Sequence, residues 1–228
     1  MRRRVVVTGI GLCTPLGLGR DATWKAVVAA QSGIAPITRF DTSQFATRFA
    51  GEVKGLDPAS YIDKREAKHI DPFVHFAIFA ADEALIHAGI KIDPEPADPP
   101  GVLDPARPPV TGVRPDGGYA CDRIGVYIGA GLGGVYHIES THTTLMQKGP
   151  GRMSPYFVPQ IIVNMAPGLV SIRHKLRGPN MSQVSACSSG AHAIGEAARA
   201  IICGAADAMV AGGTEATVTP LGIGGFNA

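Results

Sequence analysis

Residues 184–204, VSACSSGAHAIGEAARAIICG, contain the transition that predicts how this chain folds. An apolar run gives way at Cys187 to small residues and then to a composition typical of a helix. Unpaired N–H groups and the helix dipole favour a thiolate at a helix N-terminus, and small side chains leave room for a substrate carbonyl. Cys187 is therefore a candidate nucleophile, although a lone cysteine among small residues is also typical of an inert packing residue.

The sequence around this cysteine is basic. Residues 140–195 contain no Asp or Glu. They carry five basic residues: Lys148, Arg152, Arg173, Lys175 and Arg177. If these side chains face the cysteine, they favour a thiolate and an anionic partner.

Alternating strand and helix patterns predict an α/β protein. Four apolar runs predict buried strands, at residues 4–8, 123–128, 181–186 and 208–211. Helical patterns cover 24–30 and 64–88, with Gly89 as a stop, whereas 35–60 has no clear period and is expected to be irregular. Strands separated by helices predict a parallel sheet covered by helices.

Composition excludes several classes of protein. With 228 residues and 45% hydrophobic content the chain can bury a substantial core, and a net charge of +2 is too small for a nucleic-acid binder. The charged and apolar start at residues 2–7 is too short for a signal peptide, so we expect none, and no apolar run approaches the roughly 20 residues that span a bilayer. The four cysteines form no CxxC pair. We therefore expect a cytoplasmic protein without metal, cofactor, nucleic-acid partner or membrane contact.

A proline-rich segment interrupts this pattern. Residues 93–118 hold eight of the eighteen prolines. Proline at that density prevents both helix and strand pairing, because it lacks the backbone N–H and fixes φ. We expect a surface insertion or linker.

The glycine motif at 129–134 resembles a dinucleotide fingerprint. That fingerprint needs an acidic residue about 20 positions further on, and none is present. The glycines are expected to allow close packing or to let a substrate chain pass.

Among nucleophile motifs, the GxSxG of serine hydrolases is absent, so cysteine is the one plausible nucleophile. No histidine forms a recognisable pair with it. His192, five residues along the same helix, is expected to be a packing residue, and His137 and His142 to be surface or packing groups.

Several stretches together resemble a known family. VSACSSGAHAIGEAARAI, followed by GAADAMVAGGTEA and TPLGIGGFNA, is similar to the active-site region of the β-ketoacyl-acyl carrier protein synthases, in particular the elongating type II enzymes. RRRVVVTGIGLCTPLG, GAGLGGVYHIE and MSPYFVPQIIVNMAPG resemble the same family in the same order. The resemblance covers the chain except for 93–118, which looks like an insertion.

The resemblance implies a fold and a reaction. The fold is thiolase-like, with residues 1–228 as the N-terminal half of a five-layered αβαβα sandwich that has a mixed, mostly parallel sheet, in a homodimer. The reaction is fatty-acid elongation by decarboxylating Claisen condensation, in which Cys187 takes an acyl chain from acyl carrier protein before the chain passes to a malonyl-carrier carbanion. The backbone N–H of Cys187 would donate to the oxyanion.

Further residues take implied roles from their positions in the family motifs. Leu132 lines the acyl pocket, and Phe157 reaches that pocket across the dimer. Arg65, Lys68 and His69 match a basic patch that docks the acidic carrier protein.

The sequence also departs from the family. The catalytic histidines of the family come from HGTxT and GHxxxA motifs, and neither occurs here. We therefore expect the C-terminal half to be absent and the 228-residue chain alone not to condense. The exposed apolar face of a half-sandwich predicts self-association or poor solubility. Three alternatives stay open. The first is a non-catalytic or split subunit that binds carrier protein and pairs with a chain supplying the catalytic histidines. The others are a polyketide ketosynthase and a thiolase-like enzyme acting on coenzyme A thioesters.

Overall fold

The computed structural model describes residues 3–90 and 120–228. The proline-rich segment 93–118, predicted to be an insertion, lies outside the described residues.

A parallel three-stranded sheet forms the centre of the described chain. Its strands lie in the order β6 (Asn180–Met181), β5 (Ile124–Gly129) and β7 (Ala208–Gly213). All six residues of β5 are buried. The predicted parallel layer and the predicted strands at 123–128 and 208–211 are confirmed.

The strand predicted at 181–186 forms only at its beginning. Beyond β6 the chain stays beside the end of β5, where the Ser182 hydroxyl donates to the Ile128 carbonyl and the Ala130 N–H donates to the Gln183 carbonyl. The chain then leaves the β5 edge and turns into the helix α7 (Ser189–Ile202).

Helices cover both faces of the sheet. Successive side chains of a strand point to opposite faces, so Ile124, Val126 and Ile128 pack against α3 (Pro72–Ala88) and α6 (Met165–His174). On the other face Tyr127 packs against Ala193 and Ala197 of α7. The sheet is thus the middle of an α/β/α arrangement.

The helix predicted over 64–88 is two helices in the structure. α2 (Lys64–Ala67) ends early, and α3 begins at Pro72 with Asp71 as its N-cap, whose carboxylate accepts from the Phe73 N–H at 3.2 Å. Proline disfavours a helical conformation in the residue before it and suits the first helical position, so the break falls there. Gly89, at φ 62°, ends α3 as predicted.

The prediction of a buried strand at 4–8 is wrong. Residues 3–12 form no ladder with any described strand, and Val6 and Val7 are 65% and 78% exposed. A groove of about 640 Å³ separates this segment from β7. β-branched residues favour a strand, but a ladder also needs a neighbouring strand.

Residues 3–12, called the N-terminal segment below, are held on one side. Gly9 and Gly11 pack closely on α3. A Cβ on Gly9 would collide with the Ala84 carbonyl, and a Cβ on Gly11 with the Ala80 carbonyl. The Leu12 N–H donates to the Glu83 carboxylate of α3 at 2.8 Å.

A small layer follows the N-terminal segment. It comprises the hairpin β1 (Cys13–Thr14) with β2 (Gly17–Leu18), then α1 (Arg20–Val28), and the hairpin β3 (Ile34–Pro36) with β4 (Phe49–Gly51). The helix predicted at 24–30 thus begins earlier and ends earlier. Residues 35–60, expected to be irregular, contribute an antiparallel pair.

The remaining elements are helices and short 3₁₀ turns. They are α4 (Val135–Lys148), α5 (Phe157–Ile161), α8 (Pro220–Asn227) and three single 3₁₀ turns (Pro58–Ser60, Cys121–Arg123 and Pro150–Arg152). None of the helices in the described part of the chain combines the length and apolar composition needed to cross a bilayer.

Candidate active site

Cys187 lies on a tight turn between β6 and α7, and its side chain is exposed. The buried Ser189 hydroxyl fixes this turn from inside. It accepts from the Ser185 N–H at 2.9 Å and donates to the Ala186 carbonyl at 2.7 Å. Ala186 has φ 52°, a left-handed conformation that few residues other than glycine adopt. The thiol is therefore presented at the N-terminus of α7, as the sequence predicts.

Close packing of small residues brings α7 to the carboxyl ends of the strands. A Cβ on Gly190 would lie 3.1 Å from the Gly213 Cα, which is tighter than side chains normally allow. A Cβ on Gly129 would collide with the Ser189 carbonyl. Glycine at these positions lets the helix start directly against β5 and β7.

The glycine turn at 129–134 starts at the last residue of β5, and its Gly131 lies close to the carbonyl of Ala186, the residue before Cys187. Its Gly131, Leu132 and Gly133 N–H groups donate to the Glu215 carboxylate at 2.8, 2.9 and 3.2 Å. Donors that would bind a pyrophosphate in a dinucleotide site are thus bound to a carboxylate of the chain itself.

Glu215 is a site residue that the sequence patterns do not predict. The one available signal is its position two residues after β7, because the carboxyl ends of parallel strands meet at the same edge of a sheet. Nothing in the local pattern indicated that its partner would be a turn 82 to 84 residues earlier.

The predicted acyl-pocket residues lie near this turn. Leu132 is half exposed within it, and Phe157 is the half-buried first residue of α5. The last residue of α5, Ile161, accepts through its carbonyl from the Gly134 N–H at 3.2 Å. The backbone therefore couples the element of Phe157 to the turn of Leu132.

The predicted docking residues form one exposed surface. Arg65 belongs to α2, and Lys68 and His69 follow it directly. The His69 ring stacks on Tyr156 with centroids 3.8 Å apart, and the Lys68 carbonyl accepts from the Gln160 side chain at 3.4 Å. This basic surface is thereby attached to the segment that leads into α5.

The structure corrects the expectation for one histidine. His192 is exposed rather than packed, and its Nδ1 lies 2.6 Å from the Ser185 hydroxyl. His137 is largely buried, with Nδ1 2.7 Å from the fully buried Asp71 carboxylate, and His142 is exposed. Within the described residues none of these histidines hydrogen-bonds to Cys187.

Of the basic residues near Cys187 in sequence, Arg173 forms an ion pair with a carboxylate on another helix. Arg173 and His174 both bind the Asp82 carboxylate of α3, each at 2.7 Å. Burial would raise the pKa of Asp82, but the hydrogen bonds from His174 and Arg173 outweigh it and hold the pKa below its usual range. Arg173 thus joins α6 to α3.

The described residues contain no cluster of three or more His, Cys, Asp or Glu that could hold a metal ion.

The chain is similar in sequence to curated 3-oxoacyl-[acyl-carrier-protein] synthases. It is 46% identical over 227 residues to 3-oxoacyl-[acyl-carrier-protein] synthase 2 of Vibrio cholerae serotype O1 and 44% identical over 227 residues to the protein of that name from Coxiella burnetii. Each match covers 100% of this chain but 49% of the relative. The chain spans about half the length of the curated relatives it matches.

Solved structures support the same fold. A β-ketoacyl synthase from Burkholderia phymatum STM815 superposes with a TM-score of 0.75 at 25% identity, over 100% of this chain and 50% of that one. A type II PKS acyl-carrier protein in complex with its ketosynthase gives 0.74 at 26% identity, over 100% and 55%. The predicted thiolase-like fold is confirmed, and its five layers stay a prediction.

Residues 2–228 match the N-terminal domain of β-ketoacyl synthases. That match covers the Cys187 turn, the glycine turn and all three sheet strands in one continuous stretch. The chain therefore belongs to the β-ketoacyl synthase family.

Proposed function

We propose that the protein carrying this chain elongates fatty acids by condensing an acyl chain with a malonyl unit, both held on acyl carrier protein. The observation that carries the proposal is the exposed Cys187 thiol on a turn fixed by Ser189, at the N-terminus of a helix. The relatives are named 3-oxoacyl-[acyl-carrier-protein] synthase 2, which fits a thiol that accepts acyl groups.

The first half-reaction is acyl transfer to the thiol. The Cys187 thiolate attacks the thioester carbonyl of the acyl carrier, and the Cys187 N–H donates to the oxyanion that forms. The tetrahedral intermediate collapses by expelling the carrier thiolate, which takes up a proton. A new thioester on Cys187 replaces the one that is broken.

The second half-reaction forms the carbon–carbon bond. Loss of CO₂ from the malonyl carrier leaves a carbanion, which attacks the carbonyl of the acyl-Cys187 thioester. The sulfur leaves as thiolate, and the product is a 3-oxoacyl chain two carbons longer on the carrier. Donors that stabilise the developing charge are needed here, and the HGTxT and GHxxxA motifs that supply them in the family are absent from these 228 residues.

The surrounding residues fit this chemistry. We assign Leu132 to the acyl pocket and Phe157 to the acyl pocket of the dimer partner, which fits side chains that are half exposed and half buried in one chain. We assign Arg65, Lys68 and His69 to the carrier dock, because they are exposed and basic and an acidic partner binds such a surface. The assembly proposed is a homodimer.

A fatty-acyl substrate is favoured over a polyketide one. The two relatives at 44 to 46% identity are both named 3-oxoacyl-[acyl-carrier-protein] synthase 2. The polyketide alternative would be supported by faster turnover of a 3-oxoacyl carrier substrate than of a saturated one.

Mass spectrometry tests the acyl transfer. The protein carrying this chain is incubated with acyl carrier protein loaded with a saturated acyl group, and the peptide containing residue 187 should gain the mass of that group. Cys187→Ala should abolish the gain. Cys203→Ala is the matched control, because Cys203 is also exposed, and it should acylate like the wild type. Acylation of Cys203 at the same rate as Cys187 would contradict the proposal.

Binding measurements test the dock. Charge reversal by Arg65→Glu with Lys68→Glu should weaken binding of the carrier protein at least tenfold at low salt, and less at high salt. Lys25→Glu, at an exposed site of α1, is the control. Equal weakening by the control would remove the assignment.

A further inference from the structure

One carboxylate binds three consecutive backbone N–H groups beside the nucleophile. Glu215, two residues after β7, accepts from Gly131, Leu132 and Gly133. Successive N–H groups that converge on one point form an anion-binding concavity. Hydrogen bonds to an ionised acceptor are about twice as strong as neutral ones, so this single side chain fixes the turn.

The same turn touches the residue that precedes the nucleophile. A Cβ on Gly131 would lie 2.9 Å from the Glu215 Oε2 and 3.4 Å from the Ala186 carbonyl oxygen. Gly131 therefore separates the Glu215 carboxylate from the backbone that leads into Cys187. A shift of the turn would change the distance between Leu132 and the thiol.

We propose that Glu215 is a positioning residue that sets which acyl chain lengths Cys187 accepts. Its carboxylate holds the Leu132 backbone, and the Leu132 side chain limits the space available beside the thioester. The proposal rests on the function proposed above, in which Cys187 is acylated and Leu132 lines the acyl pocket.

The chain supplies a matched control for this role. Glu83 also binds two backbone N–H groups, those of Leu12 at 2.8 Å and Arg20 at 2.7 Å. Those contacts lie between α3 and the β1–β2 hairpin rather than on the Cys187 turn. Glu83→Gln removes the same chemistry from a carboxylate that binds Leu12 and Arg20 instead of the 131–133 amides, so it separates positioning from a general loss of stability.

The experiment measures acylation with carrier-bound acyl chains of graded length. The protein carrying this chain is compared with its Glu215→Gln and Glu83→Gln variants, and the readout is the ratio of the Cys187 acylation rates for long and short chains. Hydrogen exchange at the amides of residues 131–133 is measured in parallel. Gly131→Ala serves as a second variant, because its Cβ would displace the Glu215 carboxylate without removing the charge.

Two results are expected for Glu215→Gln. The amides of residues 131–133 should exchange roughly tenfold faster, because an amide cannot accept from all three groups. The long-to-short rate ratio should change about tenfold, since small displacements at a reacting centre have large rate effects. Gly131→Ala should change the ratio in the same direction. Glu83→Gln should leave the ratio at its wild-type value.

The experiment distinguishes failure of the positioning role of Glu215 from failure of the proposed function. A wild-type ratio in Glu215→Gln, with the three amides exchanging faster, would overturn the positioning role and leave the proposed function intact. Equal changes of the ratio in Glu215→Gln and Glu83→Gln would also overturn it. Absence of any acylation at Cys187 in the wild type would instead overturn the proposed function.

Discussion

The strand β5 and the N-terminal segment are alike in sequence and differ in structure. Both are rich in β-branched residues, IGVYIG in one and VVVTGIG in the other. Every residue of β5 is buried, whereas Val6 and Val7 are largely exposed. β5 has a strand on each edge and helices on each face, while the segment rests on α3 and meets no strand among the described residues. A β-branched pattern thus indicates a strand only where neighbours complete it.

The largest difference between the two regions is expected when one side chain in each is truncated, a buried one in β5 and an exposed one in the N-terminal segment. Ile124→Ala in β5 should lower the free energy of unfolding by about 2–5 kcal/mol, because Ile124 is fully buried. Val6→Ala in the N-terminal segment should change it by less than about 0.5 kcal/mol. Urea denaturation of the two variants measures both values. Similar losses would mean that the segment is packed as tightly as the strand.

Glycine substitutions test how each region is held. A Cβ on Gly125 would lie 2.5 Å from both the Pro179 carbonyl oxygen and the Met209 sulfur, so Gly125→Ala should cost about 1–3 kcal/mol. Gly9→Ala should cost less, because the segment is packed on one side and can move away from α3. In the Gly9→Ala variant the Leu12 amide should exchange its hydrogen faster than in the wild type. A global loss as large as that of Gly125→Ala would contradict one-sided attachment.

Helix α3 packs against both β5 and the N-terminal segment and carries Asp82. Asp82, Arg173 and His174 are called the Asp82 cluster below. Asp82→Asn leaves Arg173 and His174 without a charged acceptor and should cost about 1–3 kcal/mol at neutral pH. The folded pKa of Asp82 lies below its unfolded value, so the stability it contributes is present above about pH 4 and is lost as the pH falls through the folded pKa.

Urea denaturation over a pH series measures this effect. The variant should lose part of the acid dependence shown by the wild type below about pH 4. Asp21→Asn is the control, since the Asp21 pair with Arg20 is exposed and should contribute little. An unchanged pH profile in Asp82→Asn would show that the cluster does not couple α3 to α6.

The smallest expected effect on folding is at Val7. Val7→Lys should change stability by less than about 0.5 kcal/mol but reduce self-association, because Val5, Val6, Val7 and Ile10 form an exposed apolar run. Ile86→Lys is the control at an exposed apolar site on α3. Light scattering over a concentration series measures the difference. A wild-type protein that stays monomeric would contradict the prediction of self-association.

Sequence predicts the centre of this fold better than its periphery. β5, β7 and the turn at Cys187 combine a local pattern with buried surroundings, so the pattern and the structure agree. Pro72 breaks a helix that apolar periodicity alone makes continuous. Glu215 carries no local signal, since its partners are brought near by the pairing of β5 with β7.

The left-handed backbone at Ala186 restricts which substitutions the turn at Cys187 can tolerate. Glycine fits φ 52° without cost, and asparagine or aspartate tolerates it, whereas valine, isoleucine and threonine do not. In a saturation mutagenesis library selected for growth, codon 186 should retain a narrow set of small residues, even though its side chain is exposed. An exposed position usually accepts many substitutions, but here the left-handed backbone restricts the residue that precedes Cys187.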